Sequence, residues 1–326
     1  MAMRIRSAPV VGRSAPLSPE RIGGQRWVSI LRQYSKLVAM QVAHSIEDAR
    51  RFRCRLAGTT VLVPTMGALH GGHLAHLRCG RQIADHLLVS IFVNPTQFGP
   101  GEDFDRYPRS VEEDLALCES EAVDHVFVPS VDQMYSASIS AVCLDVPDLT
   151  ADLEGASRVG HFPGVCRVVL KLLGILGPDF ATFGRKDYQQ LCVIHALVRD
   201  LFLPVRIIEV GTVREEDGLA MSSRNRYLDT GQRRKAVGLY QALLRAREMI
   251  EQGGETDPAR VEQQMAQTVL AHGLGLDYVA VRRPRTLMIP ETIEPSSSGV
   301  VGLVAGSVDG IHLIDSLCIG GRTDQK

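Results

Sequence analysis

Short apolar runs alternate along this chain with longer segments whose apolar positions recur every three or four residues. Thr60–Val63 and Leu87–Val93 (LLVSIFV) are rich in branched residues and apolar on both faces, as strands of a parallel sheet covered on both sides are. His125–Val128, Phe180–Phe183 and Val205–Val210 read the same way. The segments between them predict helices: Ser45 to Arg53, Gly71–His73 to Asp85, Ser110 to Glu121, Val165 to Leu176 and Tyr188 to Phe202. Ser45 with Glu47 and Asp48 behind it supplies the hydroxyl and the acids that a helix start needs. Strand alternating with helix predicts βαβ units and a doubly wound parallel α/β sheet over residues 40–213.

The texture changes after Val213. Gly231 to Gln252 reads as one long basic helix ending at Gly253-Gly254, and Asp257-Pro258 opens another that ends near His272-Gly273. Asp277–Val281 and Val300 to Ile314 read as strands. A smaller C-terminal α+β domain is therefore expected over 214–320, with the boundary near 214–225. Beyond Ser296–Ser298 there is no low-complexity tract, and there is no internal repeat.

Composition narrows the class. The 326 residues carry 36 Lys plus Arg against 37 Asp plus Glu, a net charge of −1, which argues against a polyanion-binding surface and so against a nucleic-acid partner. The longest stretch free of these four residues, Leu56 to Leu77, has the length of a membrane span but holds His70, His73, His76, Pro64 and several glycines, so no membrane segment is expected. The 7 cysteines are odd in number, scattered and without CxxC, which points to reduced thiols and a cytoplasmic protein. Residues 1–39 stand apart. Arg4, Arg6, Arg13, Arg21, Arg26, Arg32 and Lys36 face Glu20 alone, and Pro9, Pro16 and Pro19 break any long helix. This stretch reads as a disordered tail or over-extended start. Its alternative reading is a mitochondrial transit peptide.

The candidate chemistry lies where strands end. Met66-Gly67-Ala68-Leu69-His70-Gly71-Gly72-His73 leads from a strand into a helix at the carboxyl edge of the sheet, where such sheets bind ligands. A helix N-terminus offers free N–H groups to a phosphate, and Gly71 and Gly72 allow close approach. His70 and His73 share one helix face and could stabilise charge developing on a phosphate. As a metal site, HxxH lacks both an obvious third ligand and the HExxH glutamate, so no metal ligand is assigned. Asn94 and Gln97, after the next strand, are neutral amides suited to a small polar substrate. In Gly184-Arg185-Lys186-Asp187, Lys186 is a point charge suited to phosphate, and Gln190 follows on the new helix. Met221-Ser222-Ser223-Arg224 could form a polyphosphate clamp on a loop that moves. No GxSxG and no cysteine in a nucleophile motif is present.

Taken in order, PTMGALHxGH, FVNPTQF, YPR (Tyr107–Arg109), LEGxxRxGHFxGV (Leu153–Val165), FGxKDxQQ and VREEDGLAMSSRN (Val213–Asn225) resemble the pantoate–β-alanine ligases, or pantothenate synthetases, over roughly Met40 to Gly320. That family sits in the nucleotidyltransferase superfamily marked by HIGH and KMSKS signatures. The resemblance implies a Rossmann-like, HIGH-type fold with a C-terminal lid carrying the MSSRN loop. It implies that ATP and pantoate form pantoyl adenylate and pyrophosphate, and that β-alanine then yields pantothenate and AMP. Met66 to His73, Gly184 to Asp187, Val213 and Met221 to Arg224 would hold ATP. His70, His73, Lys186 and Arg224 would act on the phosphates. Gln97, Gln190 and Asn94 would hold pantoate, with Glu154, Arg158 and His161 at its far end. Family members use Mg²⁺ and are usually homodimers. Another nucleotidyltransferase of the superfamily and a degenerate ligand-binding relative are the competing readings. The chain departs from the family pattern at Val159 (usually proline), Arg167 (usually a small hydroxyl residue) and Arg283 (often an acid).

Overall fold

The computed structural model describes residues 39–136, 142–294 and 299–320. The arginine-rich extension up to residue 38 and Ser296–Ser298 lie outside these. Met40–Lys326 forms one compact unit. No helix among the described residues is long and apolar enough to cross a membrane.

Six parallel strands make the main sheet: β1 Gln41–Ala43, β2 Thr60–Thr65, β3 His86–Ile91, β4 His125–Phe127, β5 Phe180–Gly184 and β6 Arg206–Val210. Their order is β1-β4-β3-β2-β5-β6. The chain winds outward from β2 through β3 to β4, then returns to place β5 and β6 on the other side of β2. The winding direction therefore reverses between β2 and β5, and the crevice outside their carboxyl ends is where such sheets bind ligands.

The helices α1 Ile46–Arg53, α2 Gly71–Ile83, α3 Val111–Ser120, α7 His161–Leu176 and α8 Tyr188–Asp200 cover the sheet. The alternation of strand side chains assigns them to layers. Val61 and Val63 of β2, with Leu87 and Val89 of β3, pack with Leu77 and Cys118 from α2 and α3. Leu62 and Leu88, one residue out of phase, pack with Val169, Leu173 and Leu191 from α7 and α8. Both faces are thus buried, which is why these strands lack polar alternation.

Beyond the sheet lie the short helices α4 Val131–Met134, α5 Pro147–Thr150 and α6 Glu154–Ser157, none of which the sequence pattern predicts. After β6 come α9 Thr230–Ala236, α10 Gly238–Arg247 and α11 Pro258–Ala271, then an antiparallel sheet of β7 Gly275–Arg282, β8 Val300–Val308 and β9 Ile311–Ile319. The long helix expected over 231–252 is interrupted at Val237 and ends in a π turn at Glu248–Gln252. At Gly238 a Cβ would sit 2.5 Å from the His272 side chain, so glycine there admits a close approach between α10 and the end of α11 that a larger residue would block. The strand region from Val300 is a hairpin. Asp309 (φ +48°) and Gly310 (φ +81°) form its tip, the Asp-Gly pattern of a two-residue turn. Even-numbered Val300, Val304 and Val308 face α10 and α11, whereas Val301 and Leu303 join the core that lies under α7 and α8.

Candidate active site

The turn after β2 is held from beneath. Asp114 on α3, 1% exposed, accepts the amide N–H groups of Ala68 (2.8 Å) and Leu69 (2.7 Å). Gly67 has φ +83°, and a Cβ there would lie 2.9 Å from the Asp114 carboxylate, so glycine is required twice over. The amides of Ala68 and Leu69, two residues of the expected ATP-binding segment, are therefore bonded within the protein. Gly67, Ala68, Leu69 and Gly71 shape the turn without lining the cavity, while Met66, His70, Gly72 and His73 do line it.

The start of α2 is capped by its own imidazoles. His70 Nδ1 accepts from the Gly72 amide at 3.1 Å, and His73 Nδ1 accepts from the His70 amide at 3.3 Å. A ring whose Nδ1 accepts carries its proton on Nε2 when neutral. Burial first, then the positive charge of Lys186 and Arg226, pushes His70 down to about 4. Burial, then His70, His76 and Lys186, pushes His73 well below the ordinary imidazole value. Both rings are thus neutral Nε2–H donors near pH 7, not cations. His76, one turn further along α2, lines the same cavity with its Nδ1 2.9 Å from Thr182 Oγ1.

After β3, Asn94 and Gln97 do different work. The Asn94 side chain accepts from the Thr96 N–H (3.2 Å), the Thr96 hydroxyl (2.9 Å) and the Tyr135 hydroxyl (2.8 Å), and donates to Gln97 Oε1 and the Gly164 carbonyl. Asn94 lines the cavity, but its amide is spent holding the turn, so its role differs from the substrate contact expected of it. Gln97 points its Nε2 towards Met66 Sδ (2.9 Å), a weak acceptor that a polar ligand would readily replace. Gly164 on α7 makes this turn possible, because a Cβ there would lie 2.1 Å from the Thr96 carbonyl oxygen. Gln190 on α8 also lines the cavity.

Lys186 and Asp187 after β5 line the cavity, as does Gly184. Arg185 does not. Its guanidinium turns outward to Glu209 (2.9 Å) and its carbonyl accepts from the Ser316 hydroxyl (2.6 Å). Val213, Met221, Ser222, Ser223 and Arg224 close the cavity from the small-sheet side. Ser223 Oγ meets the Tyr107 hydroxyl at 3.0 Å, and Arg224 grips Asp103 through Nε and Nη2, both at 2.9 Å.

At the far end, Arg158 binds Glu102 (2.6 and 3.0 Å) and gives Nη1 to His161 Nε2 (3.3 Å), while His161 Nδ1 donates to the Gln97 carbonyl at 2.8 Å. Burial, then Arg158, pushes His161 down to about 4. The Glu154 amide donates to Gln189 Oε1, and its carboxylate lies 3.1 Å from His312 on β9. The departures from the family pattern leave this end intact. Val159 is 84% exposed, Arg167 stacks on the Tyr135 ring with 4.5 Å to its centroid, and Arg283 is on the surface.

One cavity of about 290 Å³ thus gathers residues from the ends of β2, β3 and β5, from α6 and α7, and from the Met221–Arg224 segment. Sequence reasoning missed Asp114, His76, Gln189, Glu102, Asp103 and His312. His76 repeats the three-residue spacing of His70 and His73 and was open to discovery. The others become partners only through the fold. Among the described residues no group of three or more His, Cys, Asp or Glu is placed to hold a metal ion.

Comparison with known proteins agrees with this architecture. The pantoate-beta-alanine ligase family model matches residues 40–318. A pantothenate synthetase of Acinetobacter baumannii is 45% identical over 276 residues, 85% of this chain and 94% of that protein. The crystal structure of pantothenate synthetase from Thermus thermophilus matches with a TM-score of 0.81 at 43% identity, over 86% of this chain and all of that one. A pantoate-beta-alanine ligase from Francisella tularensis, solved with beta-gamma ATP and beta-alanine, matches with a TM-score of 0.70 at 31% identity, over 86% of this chain and 98% of that one. The chain belongs to the pantoate–β-alanine ligase family and is an enzyme of that class.

Proposed function

We propose that the cavity joins pantoate to β-alanine in two steps, through pantoyl adenylate. ATP and pantoate first give the adenylate and pyrophosphate; β-alanine then displaces AMP. The observation that carries this reading is the meeting of four donor groups around one cavity at the reversal point of the sheet: neutral Nε2–H groups from His70 and His73, and cations from Lys186 and Arg224. A carboxylate is a poor electrophile because oxide is a poor leaving group. Transfer of AMP onto it needs charge stabilisation on the phosphates, alignment and a dry site, and no protein nucleophile. The described cysteines all lie outside the cavity lining, and burial pushes the Cys118 and Cys192 thiols up to about 12.

Gln97 and Gln190, which both line the cavity, would take the hydroxyls of pantoate. Arg224 is engaged by Asp103, so the Met221–Arg224 segment must exchange that carboxylate for phosphate as ATP enters, which suits a segment that opens and closes. A magnesium ion bound with ATP would draw most of its ligands from phosphates and water. The cysteines are free, which supports a reducing compartment such as the cytoplasm. Homodimer assembly is part of the same reading.

Exchange of labelled pyrophosphate into ATP tests the first step. It is expected with pantoate present and β-alanine absent. Exchange that needs β-alanine, or that ignores pantoate, contradicts the two-step order.

A further inference from the structure

A second cavity, about 1020 Å³, adjoins the first. It is lined by charges of both signs, among them Glu102, Asp103, Arg106, Asp277 and Asp309. Arg158, Arg224 and His312 belong to the walls of both cavities, whereas Glu154 lines only the inner one and Asp277 only the outer one. The His312 ring spans the partition. Its Nε2 lies 3.1 and 3.2 Å from the two Glu154 oxygens, and its Nδ1 lies 2.8 Å from Asp277 Oδ2. A carboxylate, an imidazole and a second carboxylate are therefore linked in series from the reaction chamber to the outer chamber.

We propose that His312 removes the proton that the β-alanine nitrogen must lose before it can attack, taking it through Glu154 and passing it to Asp277 in the outer cavity. This rests on the adenylate reading above. β-Alanine carries an ammonium and a carboxylate near neutral pH, and an ammonium has no free electron pair. One proton leaves the nitrogen to the Glu154 carboxylate and on to Nε2 of the neutral ring, while the Nδ1 proton passes to Asp277 and to water. The nitrogen then bonds to the acyl carbon. The bond from that carbon to the AMP oxygen breaks, its electron pair leaves with the AMP phosphate, and the second nitrogen proton passes to the Glu154 carboxylate, free again after the first transfer, and reaches water as the products depart. An outer chamber lined by both signs suits entry of a small zwitterion.

The neighbouring charges favour this assignment. Glu154 faces His312 from α6 and Asp277 faces it from β7, while Arg158, His161 and Tyr278 surround the Glu154 carboxylate. Burial opposes a charged His312, but the hydrogen bonds and charges of Glu154 and Asp277 outweigh it and raise its pKa above the ordinary imidazole value. The other histidines lining the inner cavity, His70, His73, His76 and His161, are all pushed down and are weak bases. His312 acts through Glu154 and is a positioning and proton-carrying residue for the second step.

The test compares the full-length protein with His312→Gln and Asp277→Asn from about pH 6 to about pH 9. Three rates are read: pantoate-dependent pyrophosphate exchange, amide formation with β-alanine, and trapping of the acyl group by hydroxylamine, which is neutral near pH 7. His312→Gln is expected to slow amide formation at pH 7 by about 10²-fold, with the deficit shrinking as pH rises. Exchange and hydroxylamine trapping keep wild-type rates, and the acid limb of the β-alanine step, which levels off at the His312 pKa in the wild type, becomes a rise that continues through the whole range. Asp277→Asn shifts that limb to lower pH. A parallel fall in all three rates, or an acid limb in His312→Gln that levels off at the wild-type pH, overturns the proposal. Absence of exchange in the wild-type protein would instead remove the adenylate reading on which it stands.

Discussion

His73 Nδ1 accepts the backbone N–H of His70, and the two rings stand 4.2 Å apart, centroid to centroid, over the start of one helix. Each ring spends one nitrogen on the backbone and keeps an Nε2–H for a ligand. Capping and ligand binding are thus performed by the same two side chains, and the resulting tautomer is fixed before ATP arrives. His73→Ala should lower kcat/KM by about 10²–10³-fold, the cost of losing one such donor. Lys186→Ala should do so by a similar factor. Steady-state kinetics on soluble, folded variants check both; a variant with near-normal turnover would remove its residue from the mechanism.

Protonation of the buried histidines should weaken the fold. His70, His76, His125 and His161 fall from an ordinary 6.5 to about 4 in the folded chain. Between those values the unfolded chain binds more protons than the folded one, so stability is fully present above pH 6.5 and declines as pH falls towards 4. Depressed carboxylates add to the loss only lower down, as with Glu209, held at about 2 first by its bond to His195 and also by Arg285 and Arg185. His312 acts in the opposite sense, since its raised pKa adds stability below its unfolded value that is lost as pH rises. Denaturant midpoints across this range should fall with acidification. A midpoint that holds steady from pH 6.5 to about 4 would contradict the assignment.

Asp114 fixes the turn that carries His70. Asp114→Ala leaves two buried amide donors unpartnered, at about 1–3 kcal/mol each. The expected result is a lower unfolding midpoint together with a raised KM for ATP. Loss of stability with an unchanged KM would show that the turn holds its shape without the carboxylate.

Gly164→Ala places a methyl group where the Thr96 carbonyl now sits. Backbone on both sides makes the clash costly, about 1–3 kcal/mol for an overpacked site. Because Gln97 lies next to Thr96, KM for pantoate should rise more than KM for ATP. Equal changes in both would mean that the Asn94–Gln97 turn serves the whole cavity.

Much of this was legible in advance because the informative signals are local. A strand buried on both faces announces itself in LLVSIFV, and a glycine-rich strand-to-helix turn announces a ligand site at the sheet edge. The shortest elements carried no such signal. β1 has three residues at the sheet edge, two of them exposed, and a four-residue helix such as α6 has no period to detect. Pairings across the fold were equally silent. Nothing near His312 marks it, since its partners Glu154 and Asp277 are 158 and 35 residues away. The same blindness hid what holds Ala68 and Leu69, two residues of the expected ATP-binding segment, because Asp114 lies 46 and 45 residues further on. Arg185 was grouped with Lys186 by adjacency, and the helical start beyond Gly184 sends the two side chains to opposite sides.

Oxygen transfer from pantoate provides the most direct test of the central claim. With ¹⁸O in the pantoate carboxylate, a pantoyl adenylate sends one labelled oxygen into the phosphate of AMP when β-alanine attacks. Mass spectrometry of the products is expected to find AMP carrying one ¹⁸O, with unlabelled pyrophosphate. Label in inorganic phosphate alongside ADP, or unlabelled AMP, would contradict adenylation in this cavity.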